Sequence, residues 1–310
     1  MRFLLESRKF LTVAAIVYII LKVFFANNLI SVYIQQITLY ALIVTITALG
    51  LNVIYGYTGQ FSLGHAAFYG IGAYTSAYLA KIFGVENVFS FLPVLLISGI
   101  VTGCTGYIIG IPILRLKDDF LAIATLGFGT LVRVLLDNSD RFADVLGGSR
   151  GFVGITKITN LELTFFSALF IVLITKNLIY SRYGLFLRCV RDDELAATSA
   201  GIHTARMKLM AFSYGCMLAG IAGGLYAHLY TFLHPSNFDM LKSIDLLIIV
   251  IVGGMGSIRG TIYASIIWVG VIEGLRIVLP VEMLDLRWVV IPVLLIGLMM
   301  WKPYGLMAKK

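Results

Sequence analysis

The chain is 310 residues long, 59% apolar and only 13% charged, against roughly 45–50% apolar and 25% charged in soluble domains. That excludes a soluble enzyme and reads as an all-α polytopic membrane protein. The net charge of +8, from 24 Lys and Arg against 16 Asp and Glu, fits the basic inner face and anionic headgroups of a membrane, and excludes the need for a nucleic-acid partner. Cys104, Cys189 and Cys216 are isolated and odd in number, without CxxC spacing, so they define neither a disulfide framework nor a zinc site. No Pro/Ser-rich or like-charge stretch marks a linker, and residues 1–310 are expected to form one transmembrane domain.

In chain order, the opening "MRFLLESRKFLTVAAIVYIILKVFFANN" has the basic head and apolar core of a signal peptide but no small-x-small cleavage site, and reads as an uncleaved first span, 10–26. Apolar runs of about 20 residues then place spans at 29–54, 62–83, 90–113, 119–136, 161–180, 209–231, 243–259, 260–280 and 287–301. This makes about ten transmembrane helices. With the N-terminus cytoplasmic, Arg115, Lys117, the segment 181–208 and the tail "WKPYGLMAKK" all fall on the cytoplasmic side by parity, the positive-inside pattern.

Between the second and third spans, "GLNVIYGYTGQFSLGHAAFYGIGAY" is a Gly-rich interruption with Thr58, Gln60, Ser62 and His65 among its glycines. Non-helical backbone at membrane depth is tolerated where it is buried in protein or lines a wet cavity. The stretch is therefore either a tight turn whose small residues let helices pack or a gate on a translocation path. The outer loop 137–160 carries a second Gly-rich motif, "GGSRGFVGI", and "GGMGSIRG", residues 253–260, separates two later apolar runs on the inner side.

The segment 181–208 holds eight charged side chains: Arg182, Arg188, Arg191, Asp192, Asp193, Glu194, Arg206 and Lys208. At roughly 3 kcal/mol each at the bilayer centre, submerging them would cost on the order of 20 kcal/mol, so the segment is aqueous. Within it, "DDELAATSAG" reads as a short helix of about eight residues, capped by Asp192 or Asp193 and closed by Gly201. Ala196, Ala197, Ala200 and Gly201 are small enough to admit another surface, with Leu195 and Ile202 as apolar anchors. The alternative is a loop that only turns the chain.

"DELAATSAG" resembles the EAA loop of ABC-importer permeases, which docks on the ATPase subunit. Ala196, Ala197 and Gly201 keep its spacing, whereas Leu195 stands where the family has its acidic residue. The longer run "SRYGLFLRCVRDDELAATSAGIHTARMKLMAFSYGCMLAGIAGGLYA" and the Gly50–Tyr74 stretch resemble the branched-chain amino acid permease family in its M-type subunit. The resemblance extends from about residue 30 to the C-terminus, although Thr261 stands where the family usually has proline after the "GGMGSIRG" loop. It implies an ABC-importer permease fold in a bacterial inner membrane, both termini cytoplasmic, carrying leucine, isoleucine or valine; related permeases carry urea and amides. It further implies a homologous second permease, two ATPase subunits that hold the ATP–Mg, and an external binding protein. By the same resemblance, Thr58, Gln60, Ser62 and His65 border the path or its gate. Arg191, Asp193, Glu194, Ala196, Ala197 and Gly201 form the ATPase coupling element, and Gly147, Gly148, Arg150 and Gly151 face the binding protein.

The sequence has no GxxxxGK[ST] phosphate loop, no HExxH and no GxSxG, and His65, His203, His228 and His234 lack paired-ligand spacing, so no enzyme, metal site or cofactor is expected in this chain. Lys22, Lys81 and Lys176 lie near span ends and can snorkel. Glu273 and Arg276, three apart on one helical face, can pair. An ion-coupled secondary transporter is the other class, with Asp245 and Glu273 as its intramembrane acids.

Overall fold

The computed structural model describes residues 2–27, 30–116 and 118–278, with residues 293, 296, 297, 300, 302 and 305–307 beyond them. Eleven α-helices run through the described residues: α1 (Arg2–Ala26), α2 (Val32–Leu51), α3 (His65–Ile82), α4 (Val88–Ile113), α5 (Asp118–Asp137), α6 (Leu161–Tyr180), α7 (Arg182–Asp192), α8 (Glu194–Ser199), α9 (Thr204–Tyr230), α10 (Met240–Gly253) and α11 (Ile258–Val278). Two-residue strands β1 (Phe152–Val153) and β2 (Phe232–Leu233) pair antiparallel, Phe152 opposite Leu233.

Nine of the ten expected spans coincide with helices, and 287–301 lies outside the continuously described residues. Among the described residues, six helices are by themselves long and apolar enough to cross a bilayer: Val32–Gly56, Val88–Ile113, Asp119–Asp137, Leu161–Tyr180, Thr204–Tyr230 and Ile258–Ile277. Ten was over-specific. The apolar part of α1 is Phe10–Ala26. The 14 residues of α10 reach about 21 Å at 1.5 Å each, short of the ~30 Å hydrocarbon core. A 3₁₀ turn at Pro235–Phe238 precedes it, and the expected 243–259 span is corrected at both ends.

At the centre stands α9, packed against α2, α3 and α4. Its sequence "AGIAGGLYA" has small residues because two helices approach it closely, the usual contact between helices that have no hydrophobic drive to associate in lipid. A Cβ on Gly72 of α3 would fall on the backbone of Gly220. Phe68, Tyr69, Phe212 and Leu218 fill the fully buried core around this crossing. A second cluster joins α2 to α10 and α11 through Val44, Leu51, Leu246, Val250 and Trp268.

The two ends of the bundle collect different chain segments. At one end the β1–β2 ribbon ties the 137–160 loop to the segment after α9. At the other, the end of α2, the α7–α8 unit, the 253–260 loop and residues 305–307 come together, with the Leu306 amide donating to the Val252 carbonyl at 2.8 Å. Segments that parity assigns to one side therefore meet at one end.

Candidate functional site

The site begins where α2 stops being regular. Asn52–Gly56 forms a π turn, the kind of interruption frequent at functional positions. Asn52, 1% exposed, occupies the inside of that turn. Its amide nitrogen donates to Thr261 Oγ1 at 2.8 Å and the Ser257 carbonyl at 3.3 Å, and its Oδ1 accepts from the Gly256 amide at 2.9 Å. One buried side chain thus pins the 253–260 loop to the break in α2. A Cβ on Gly56 would fall on the Asn52 amide and lie 2.5 Å from the Gly256 nitrogen, so glycine is required for the closure.

Beyond the π turn, Tyr57 and Thr58 complete a last helical turn, the chain is non-helical over 59–64, and the polar side chains of this stretch are buried. Thr58, Gln60, Ser62 and His65 are 3%, 4%, 1% and 0% exposed. Thr58 Oγ1 donates to the Ile54 carbonyl at 2.5 Å, and Gln60 Nε2 donates to Thr58 Oγ1 at 2.8 Å and to the Lys208 carbonyl at 3.2 Å. His65 Nε2 lies 3.2 Å from the Thr47 carbonyl, which can only accept, so that nitrogen carries the proton. Gln60 Oε1, Ser62 Oγ and His65 Nδ1 have no partner among the described residues. The Leu63 amide donates to Thr125 Oγ1 at 3.1 Å and the Ala66 amide to Ser243 Oγ at 3.0 Å. The stretch is a closed joint between α2, α3, α5, α9 and α10.

Arg191, in the last turn of α7, connects this joint to the charged segment. Its Nη1 donates to the Gly56 carbonyl at 2.9 Å, while Nε and Nη2 both donate to Asp192 Oδ1 at 3.1 Å. Buried Tyr57 lies beside the joint, its phenol pushed up to about 12 chiefly by burial, so it stays neutral and leaves the guanidinium as the charge there.

The helix that follows is α8. Asp193 caps it, Oδ1 accepting from the amides of Leu195 at 2.8 Å and Ala196 at 3.0 Å; Asp192 belongs to α7 instead. At the other end the Gly201 amide donates to the Thr198 carbonyl and the Ile202 amide to the Ala197 carbonyl, both 3.0 Å. With φ +82° at Gly201, this is a Schellman closure. The helix is six residues long, shorter than the expected eight. Glu194 forms an ion pair with Lys208 at 2.6 Å, clamping α8 to the start of α9. Ala197 is 3% exposed and turned into the chain, so it does not belong to the open face. That face is Leu195, 82% exposed, with Ala196, Ser199 and Ala200.

At the opposite end Gly147, Gly148 and Gly151 all have positive φ. Gly148 and Gly151 are buried, and a Cβ on Gly151 would lie 2.7 Å from the Leu233 carbonyl. The glycines shape the loop; Arg150 is exposed, as are Phe142 and Val153 of the same loop. Sequence reasoning missed those two apolar positions and missed Asn52, whose only local signal is a polar residue near the end of an apolar run.

Residues 33–300 match the family described as the branched-chain amino acid transport system permease component. The chain belongs to that family. The permease is 35% identical over 300 residues to the high-affinity branched-chain amino acid transport system permease protein LivM of Escherichia coli K12, covering 86% of this chain and 68% of the relative. It is 34% identical over 300 residues to LivM of Salmonella typhimurium, with the same coverage. LivH of Escherichia coli K12 is 24% identical over 269 residues, 76% of this permease and 81% of the relative. No solved structure matches the permease.

Proposed function

We propose that this permease carries leucine, isoleucine and valine across a bacterial cytoplasmic membrane as one half of an ATP-driven importer. Its partners would be a homologous permease, two ATPase subunits that bind the ATP–Mg, and an external binding protein. The observation that carries the reading is Arg191. Through it, the surface helix pair α7–α8 is hydrogen-bonded to the carbonyl of Gly56, and through Gly56 to the Asn52 staple. A partner that displaces α8 pulls on the joint that separates α2 from α3 and α10 from α11, and permease halves rocking about such joints alternate access.

In this reading the open face of α8 contacts the ATPase on the cytoplasmic side, with Arg191, Asp193, Glu194 and Gly201 holding it in shape. The loop around Gly147, Gly148, Arg150 and Gly151 meets the binding protein outside. Thr58, Gln60, Ser62 and His65 form the gate in its closed form, and the three buried atoms without partners are what an opened gate would offer to water or substrate. Proteoliposomes containing the assembled transporter should take up leucine only with ATP and loaded binding protein, and should not concentrate urea. Gln60→Ala and His65→Ala should lower that uptake several-fold with the ATPase still bound. Uptake of urea in place of leucine would transfer the permease to the amide systems, and uptake driven by a proton gradient without ATP would reject the importer.

A further inference from the structure

The seam where α2 packs against α10 and α11 contains a feature that the gate does not use. A partly enclosed cavity of about 70 Å³ is lined by Tyr40 and Val44 of α2, Lys242, Asp245, Leu246 and Ile249 of α10, and Trp268, Ile272 and Glu273 of α11. It lies toward the ribbon end, since Lys242 is in the first turn of α10, soon after β2. Charged side chains within membrane helices are costly and mark functional positions by default. Here there are three on one cavity. Lys242 does not reach out to headgroups: its ammonium hydrogen-bonds the Tyr40 hydroxyl and lies 5.0 Å from that ring's centroid. Asp245 is three residues on along the same helical face. Glu273 accepts from the Tyr33 hydroxyl at 2.7 Å and has Arg276 at 3.7 Å.

The remaining polar group is unsatisfied. Trp268 is 9% exposed, and its indole N–H has no acceptor among the described residues. A buried donor without a partner is destabilising, a cost that a bound acceptor removes. We propose that this cavity is the closed form of a waypoint for a zwitterionic aliphatic amino acid. Lys242 and the Trp268 N–H would take the carboxylate, Asp245 and Glu273 the ammonium, and Val44, Leu246 and Ile249 the side chain. The charge balance favours that class: Lys242 offsets Asp245 and Arg276 offsets Glu273, so a net anion or a net cation gains nothing that a zwitterion does not. The present volume is about half the ~150 Å³ that holds a benzene ring. The site must therefore widen by separation of α2 from α10 and α11, the helices that the Asn52 staple joins.

This inference rests on the transport function proposed above. It is tested in proteoliposomes of the assembled transporter with Trp268→Phe, which keeps the ring and removes only the N–H, and Glu273→Gln. Uptake of radiolabelled leucine is measured alongside ATP hydrolysis stimulated by loaded binding protein. Both variants are expected to lose fivefold or more of leucine uptake while stimulated hydrolysis stays at the wild-type rate. Wild-type uptake in both variants overturns the waypoint and leaves the transport reading intact. Uptake and stimulated hydrolysis falling together in both variants makes the cavity a packing feature and also overturns it. A wild-type transporter that takes up no leucine removes the transport reading and the waypoint with it.

Discussion

Replacing Asn52 by leucine should destabilise the permease by about 2–4 kcal/mol. The side chain makes three hydrogen bonds in a site that is 1% exposed, to Gly256, Ser257 and Thr261. Removing it strips the Gly256 donor of its partner in a buried, low-dielectric setting, which costs roughly 1–3 kcal/mol, whereas the Ser257 carbonyl still accepts from the Thr261 amide and hydroxyl. A branched aliphatic side chain must also fit against Gly56, which already admits no Cβ beside it. Asn52→Asp preserves shape and the acceptor toward Gly256 but points an oxygen at the Ser257 carbonyl, so it should fall between wild type and Asn52→Leu. Thermal unfolding of the detergent-purified protein checks the order. Unchanged midpoints in both variants would mean that the loop is held to α2 by apolar packing alone.

Arg191→Met should leave the protein folded and the ATPase bound, yet lower leucine uptake tenfold or more. The methionine keeps an apolar stem, and the lost contacts lie at the surface end of the bundle, where Asp192 is free to be solvated. What disappears is the bond from α7 to the Gly56 carbonyl. Mechanical coupling needs a contiguous physical connection with two arrangements, and the guanidinium supplies the one between the helix pair and the π turn. Arg191→Lys should recover part of the uptake, because a single ammonium lacks the planar fork that here serves Asp192 and Gly56 together. Hydrolysis rates near wild type with uptake lost are the expected pair of readings; full uptake in Arg191→Met would assign coupling to the Glu194–Lys208 and Gln60–Lys208 contacts instead.

What the sequence made legible was mostly local. The cap of α8 and its closure at Gly201 were readable because capping is decided within a few residues, although the choice of Asp193 over Asp192 depended on where α7 ended. Eight charges in one segment set the expectation that 181–208 is aqueous, and six of those eight side chains are exposed. Asn52 was illegible as a functional residue because its partners are more than 200 positions away. The β1–β2 ribbon escaped for the same reason: two residues carry no period, and their pairing spans the whole of α6 to α9. The small residues of α8 were read as one face, but a helix of six residues has too little pattern to show that Ala197 turns inward while Leu195 and Ala196 turn out. Asp245 and Glu273 were visible singly; that one cavity gathers them with Lys242 is a tertiary fact.

The claim on which the rest depends is that the open face of α8 meets the ATPase. A photo-crosslinking amino acid at position 195, where the native leucine is 82% exposed, and another at exposed Arg150 of the 137–160 loop test it in the assembled transporter. Position 195 should give an adduct with the ATPase subunit and position 150 none, capturing the binding protein instead. An ATPase adduct from position 150, or capture of the binding protein from 195, would contradict it.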